Sequence, residues 1–186
     1  MVAILKTRSR ERVSKYGEVF TPEHIVSDMV DLVQEEATRI DSKFFEPACG
    51  NGNFLVEILR RKLETAKRMC GGCVSCYEKY ALVAIASLYG IDILPDNVDE
   101  CQKRLLEIWK DKYQHVCGDK ASSKMCYSFV RHILHQNIIC GNTLTTKQAD
   151  GSPIVFYGWT VGDKQLIINE GYKLADMLGG DPGDSS

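Results

Sequence analysis

Glu46-Pro47-Ala48-Cys49-Gly50-Asn51-Gly52-Asn53-Phe54 is the stretch on which the fold turns. Lys43-Phe44-Phe45 leads into it and reads as a short buried strand ending at Glu46. Phe54 to about Arg68 then reads as a helix. Strand, glycine loop and helix in that order form a nucleotide-binding arrangement. Glycines let backbone come close to a ligand without side-chain clashes, and the first turn of the helix presents free backbone donors.

Upstream, Thr21 suits an N-cap and Pro22 suits the first helical position, where no backbone donor is needed. Ile25, Met29, Leu32, Val33 and Ala37 recur at helical spacing, which predicts one helix from about Pro22 to Ala37. Downstream, Cys70-Gly-Gly-Cys73-Val-Ser-Cys76 interrupts the helical pattern, and a helix resumes over about 77–87. Leu88-Tyr-Gly-Ile-Asp92-Ile93 is the next strand, and Pro95 opens a long helix through Val98, Cys101, Leu105, Ile108 and Trp109. A helix over about 122–135 and a third strand at Asn137–Cys140 follow. Pro153–Tyr157 and Gln165–Ile168 read as two strands of a hairpin turning at Gly162-Asp163.

FEPACGNGNFL resembles the first motif of the N6-adenine (amino-group) DNA methyltransferases, and Lys15-Tyr16-Gly17-Glu18-Val19-Phe20-Thr21-Pro22 resembles the segment that precedes it in that family. The resemblance covers about residues 13–145 and implies a cofactor, S-adenosylmethionine. It assigns the cofactor site to Tyr16, Phe20, Thr21, Pro22, Glu46, Pro47, Ala48, Cys49, Gly50, Gly52, Asn53 and Phe54. It places Asp92 on the ribose hydroxyls and Ile93 against the adenine ring. Taken alone, Asp92 reads as a helix-capping or solvent-facing aspartate. Asn142 and Leu144, in Cys140-Gly141-Asn142-Thr143-Leu144, fall where the family contacts the adenine amine. The family usually carries Asp or another polar residue there, and an Asn oxygen accepts the same bond without the charge.

The family's catalytic tetrapeptide (Asp or Asn, Pro-Pro, then Tyr or Phe) is absent from these 186 residues. Its polar side chain and a proline carbonyl accept hydrogen bonds from the target amine, and its ring stacks on the flipped base. The corresponding strand here reads Pro153-Ile-Val-Phe-Tyr157-Gly-Trp159, with aromatics but no Asn-Pro-Pro. Hairpin core positions are the ordinary reading of Tyr157 and Trp159; a substitute base pocket is the functional one.

Cys70, Cys73 and Cys76 have a spacing that can hold zinc, with His115, Cys117 or Cys126 to close a tetrahedron. The second cysteine pair of the usual structural site is missing, so free thiols on a variable connection are the competing reading. Cys101 and Cys140 sit on apolar faces and read as core.

Hydrophobic residues at 44% and charged residues at 26% describe a globular chain. No apolar run approaches the roughly 20 residues of a membrane span, and the N-terminus has the reverse order of a secretory signal, so the expected location is cytoplasmic. A net charge of −2 gives no global argument for nucleic acid. Residues 1–16, however, carry Lys6, Arg8, Arg10, Arg12 and Lys15 against Glu11 alone.

The expectation is therefore a basic arm over 1–16, one domain over 17–178 and an acidic tail over 179–186. The fold class is α/β: a three-layer, Rossmann-like S-adenosylmethionine-dependent methyltransferase fold, with a mainly parallel sheet and a C-terminal hairpin. The function is adenine-specific (N6) DNA methylation, or the cofactor-binding part of it, in a restriction-modification or mobile-element system. DNA is the partner, with catalytic and recognition elements supplied by a partner chain or a further segment. A non-catalytic cofactor-binding module and a small zinc-stabilised interaction protein are the alternatives.

Overall fold

The computed structural model describes residues 21–118, 123–161 and 166–179. Tyr16, Phe20, the basic arm, the Gly162-Asp163 turn and the tail beyond residue 179 lie outside the described residues. In chain order the elements are α1 (Glu23–Asp31), α2 (Gln34–Thr38), β1 (Phe44–Glu46), α3 (Asn53–Cys70), α4 (Val74–Ala86) and β2 (Leu88–Asp92). They continue with α5 (Pro95–Cys117), α6 (Ser123–Asn137), β3 (Ile138–Cys140), β4 (Val155–Val161), β5 (Leu166–Lys173) and α7 (Leu174–Met177).

β1, β2 and β3 form a parallel sheet in that order, with Glu46 opposite Gly90 and Asp92 opposite Cys140. Parallel neighbours need long crossovers, which here are the helix pairs α3–α4 and α5–α6. The chain is thus an α/β protein. The pleat sends Phe44, Leu88 and Ile138 into the helical core, with Leu59, Ile85, Leu105 and Trp109. Alternate residues, Phe45, Tyr89, Ile91 and Ile139, meet Ile154, Phe156 and Leu174 on the other face. Among the described residues, that second face is covered by the antiparallel β4–β5 hairpin and the short α7 rather than by a second helical layer.

The hairpin is present, and its strands are longer than expected. Its register shifts between Tyr157 and Trp159, where Gly158 lies against Asn169. Trp159 Nε1 donates to Asn137 Oδ1 at 2.8 Å, and buried Asn137 in turn donates to the carbonyls of Leu88 and Ala86. Trp159 therefore joins the hairpin to the helical layer. Tyr89 Oη donates to the Tyr157 carbonyl at 3.0 Å.

Two local expectations are corrected. The helix predicted over 22–37 breaks at Leu32-Val33, whose N–H groups bond back only three residues, to Met29 and Val30. The helix buries Val26 and Val30, while Ile25, Met29, Leu32 and Val33 are exposed. Apolar residues occupy so wide an arc here that periodicity alone does not select the inner face. The interruption between α3 and α4 is also shorter than predicted. Gly71 and Gly72, both at positive φ, and the extended N-cap Cys73 leave the helical path, and α4 starts at Val74.

Cys101 is fully buried as expected, whereas Cys140 is only partly so. No described helix is long and apolar enough to cross a membrane.

Lys62 of α3 is fully buried beneath β1. Its Nζ donates to the Ile40 carbonyl at 3.2 Å, the Ser42 carbonyl and Ser87 Oγ, and lies 5.1 Å from the centre of the Phe44 ring. Burial pushes its pKa down to about 7, from 10.5 in the open chain. Between those values the unfolded chain holds a proton that the folded chain has released, so this group makes stability rise with pH across that window. Lys62→Met should cost about 2–4 kcal/mol at pH 7, because two buried carbonyls lose their donor. The cost should grow between pH 7 and pH 10, which chemical denaturation of both proteins at several pH values would measure.

Candidate cofactor site

The carboxyl ends of three parallel strands lie side by side, so Glu46, Asp92 and the loop after Cys140 share one edge of the sheet. In open α/β sheets this edge is where ligands bind. The glycine loop is folded onto it. Cys49 N–H donates to the Ile91 carbonyl at 2.8 Å, and Gly52 N–H donates to the Cys49 carbonyl at 2.8 Å.

Gly50 and Gly52 have φ of 52° and 85°, a region that suits glycine. A Cβ on Gly52 would stand 2.5 Å from Cys101 Sγ, so this glycine is required by packing as well as by backbone angle.

Asp92, 9% exposed, organises the edge. Its Oδ2 accepts from Gly50 N–H at 2.9 Å. Its Oδ1 accepts from Leu94 N–H at 2.9 Å and Asn97 Nδ2 at 3.2 Å. The aspartate at the end of β2 is thus tied to the glycine loop after β1, although 42 residues separate it from Gly50. The same carboxylate also holds the turn into α5 through Leu94 and Asn97, and it is buried rather than solvent-facing. Glu46 is half-buried, and burial raises its pKa against the opposing pull of the Ala48 N–H.

Arg104 of α5, unmarked by any motif, donates through Nη1 to the Asn51 carbonyl at 2.8 Å and Asn53 Oδ1 at 2.7 Å. Asn53 Nδ2 donates to the Thr21 carbonyl at 2.9 Å, which brings the Thr21-Pro22 segment to the loop. Thr143 Oγ1 donates to the Pro47 carbonyl at 2.6 Å and ties in the third strand's loop. Periodic spacing could have placed Arg104 one turn beyond Cys101 on α5, but nothing in the sequence identified the carbonyl it grips.

Asn142 sits on the same edge, but its amide oxygen accepts from Leu144 N–H at 2.9 Å and Thr145 N–H at 3.3 Å. That oxygen is engaged by its own loop. Leu144 is 94% exposed and Ile93 51% exposed, so each presents apolar surface beside the edge. Buried Asn51 Oδ1 has no hydrogen-bond partner among the described residues. An unsatisfied buried oxygen inside the loop is a point at which a ligand donor would fit.

The cysteine cluster does not assemble the zinc site that its spacing allows. Cys70 and Cys76 are joined in a disulfide, and Cys73 is a free, exposed thiol. A disulfide sulfur has no thiolate to give a cation. Among the described residues no group of three His, Cys, Asp or Glu side chains could hold a metal.

An α/β protein with its candidate site at the carboxyl edge of a parallel sheet is the class that fold and geometry define. Residues 3–93, just under half of the chain, match the family model described as N-6 DNA Methylase. The match takes in Thr21-Pro22, the glycine loop and Asp92-Ile93, and ends before Asn142 and the hairpin. The chain is also similar to a curated relative, the Type II methyltransferase M.VspI of Vibrio sp. (strain 343). The two are 29% identical over 105 residues, which is 56% of this chain and 18% of that protein. The chain therefore spans under a fifth of that relative's length. No solved structure matches the chain.

Proposed function

We propose that this chain is the S-adenosylmethionine-binding part of an adenine-specific (N6) DNA methyltransferase. It works in the cytoplasm, in a restriction-modification or mobile-element system, with a Rossmann-like methyltransferase fold. The observation that carries the reading is the bond between Asp92 Oδ2 and Gly50 N–H, which makes one structure of two separately recognised motifs. In this reading the Asp92 carboxylate also accepts from the ribose hydroxyls, and the Pro47–Gly52 backbone lies along the methionine portion. Glu46, Asn53 and Phe54 flank the loop, Thr21-Pro22 closes it from upstream, and Ile93 and Leu144 border the adenine. When bound, the cofactor supplies an electrophilic methyl group. The chain's own residues position it and exclude water.

The partners in this reading are DNA and a further protein segment or chain that carries the target-gripping and recognition elements. The topology supports this. β1 is an edge strand among the described residues, and an apolar groove along it is lined by Met29, Val33, Phe44, Phe45 and Phe54. Open apolar edges of this kind accept further strands.

Calorimetric titration with S-adenosylmethionine or its demethylated product should give saturable binding. Asp92→Ala should weaken it at least about 10-fold, since hydrogen bonds to a charged acceptor contribute about 1.5–3 kcal/mol each. No heat of binding by the wild type at millimolar ligand would sink the reading. The second reading, a cofactor-binding module without catalysis, is favoured by the engaged Asn142 oxygen. It shares the binding result and differs in DNA methylation.

A further inference from the structure

Cys70, Cys73 and Cys76 lie at the turn between α3 and α4, and neither the candidate cofactor site nor the proposed function uses them. Cys73 is the N-cap of the 13-residue α4, exposed and unpaired, between the two halves of the Cys70–Cys76 disulfide. Its Sγ is 3.5 Å from Ser75 Oγ. That hydroxyl, aided by the N–H groups of Cys76 and Ser75, holds the thiol below its usual range. Cys73-Val-Ser-Cys76 also has the Cys-x-x-Cys spacing with its first cysteine at a helix N-terminus, an arrangement that favours the nucleophilic thiolate. The Cys76 N–H acts on the Cys73 thiol, which sets that sulfur beside Cys76 in the first turn of α4. Gly71 and Gly72 have open space around them, and the turn that carries Cys73 can adjust to a change of pairing.

We propose that Cys70, Cys73 and Cys76 form a thiol–disulfide exchange site whose external substrate is a low-molecular-weight disulfide of the glutathione type. In the internal step the sulfur of Cys73, as thiolate, attacks Cys76 Sγ. The Cys73–Cys76 bond forms, the Cys70–Cys76 bond breaks, and Cys70 leaves as a thiolate that takes a proton from water. Nothing is oxidised or reduced overall. In the external step Cys73 attacks the small disulfide, forming a mixed disulfide and releasing the other half as a thiol. The Cys76 disulfide and the mixed disulfide are thus alternative resting places for the same nucleophile.

The test uses the full chain, purified without reductant, with oxidised glutathione as the probe. Samples are quenched in acid, alkylated and mapped by mass spectrometry. The chain alone should show both Cys70–Cys76 and Cys73–Cys76 pairings, and glutathione should appear on Cys73. Iodoacetamide should modify Cys73 at pH 7 several-fold faster than it modifies the denatured chain, as expected for a thiol held below its usual range. Ser75→Ala should slow that rate several-fold at unchanged melting temperature. Cys73→Ser, an exposed and conservative change, should leave the Cys70–Cys76 pairing alone and take up no glutathione.

A single unchanging Cys70–Cys76 pairing with no glutathione on Cys73 would overturn the proposal. So would alkylation of Cys73 no faster than in the denatured chain, or stoichiometric zinc on the reduced protein. Cofactor titration is independent of all of these readouts.

Discussion

Gly52→Val should lower folding stability by about 3–5 kcal/mol, enough to unfold a marginally stable domain. Two costs add. The residue sits at φ 85°, where a β-branched side chain is strained by about 1–3 kcal/mol. Its Cβ would stand 2.5 Å from Cys101 Sγ and 3.3 Å from Cys101 Cβ, and Cys101 is itself fully buried. Overpacking of that kind costs typically about 1–3 kcal/mol.

The two costs separate in a double-mutant cycle. Gly52→Ala in a Cys101→Ala background should recover the contact cost but not the backbone cost, leaving coupling of about 1–2 kcal/mol. Denaturant unfolding of the four proteins measures it. Additive effects would show that the glycine does not touch Cys101. A folded Gly52→Val chain that merely fails to bind cofactor would mean that this glycine serves the ligand alone.

Methyl transfer to DNA by this chain on its own should be undetectable against a working methyltransferase. The Asp92 carboxylate and the glycine loop are assembled, whereas the tetrapeptide that grips the target amine is absent from the sequence. Flipping a base costs a few kcal/mol, and a stacking pocket must offset it. Of the two aromatic candidates, Trp159 is held by Asn137 and lies edge-on to His132 at 5.7 Å, so it is a packing residue. Tyr157, partly buried, lines a small aromatic cavity with Phe45, Tyr89 and Tyr172 on the hairpin face. Transfer of a labelled methyl group to mixed-sequence DNA is the measurement. Robust turnover that disappears in Tyr157→Ala would place an unorthodox base pocket in that cavity. Activity restored by adding a chain with the missing tetrapeptide would support the divided enzyme.

Local signals made the order of strands and helices legible. The apolar strand before Glu46, the glycines after it, Pro95 at the start of α5 and the two C-terminal strand runs all act within a few residues of themselves. The family resemblance was legible for the same reason, because its motifs are contiguous, and the match over residues 3–93 bears it out. Three things needed the tertiary structure. The first helix turned Val26 and Val30 inward and broke at Leu32, because the packing partner on α3 selects among apolar positions that periodicity leaves equivalent. Cys70 and Cys76 paired because the Gly71-Gly72 turn brings their Cα atoms to 5.5 Å, a distance that spacing does not reveal. The hold of Arg104 on the loop and of Asp92 on Gly50 joins residues 42 to 53 positions apart. Such contacts depend on the register of parallel strands and on which helix crosses over them, and these are settled only when the whole sheet forms.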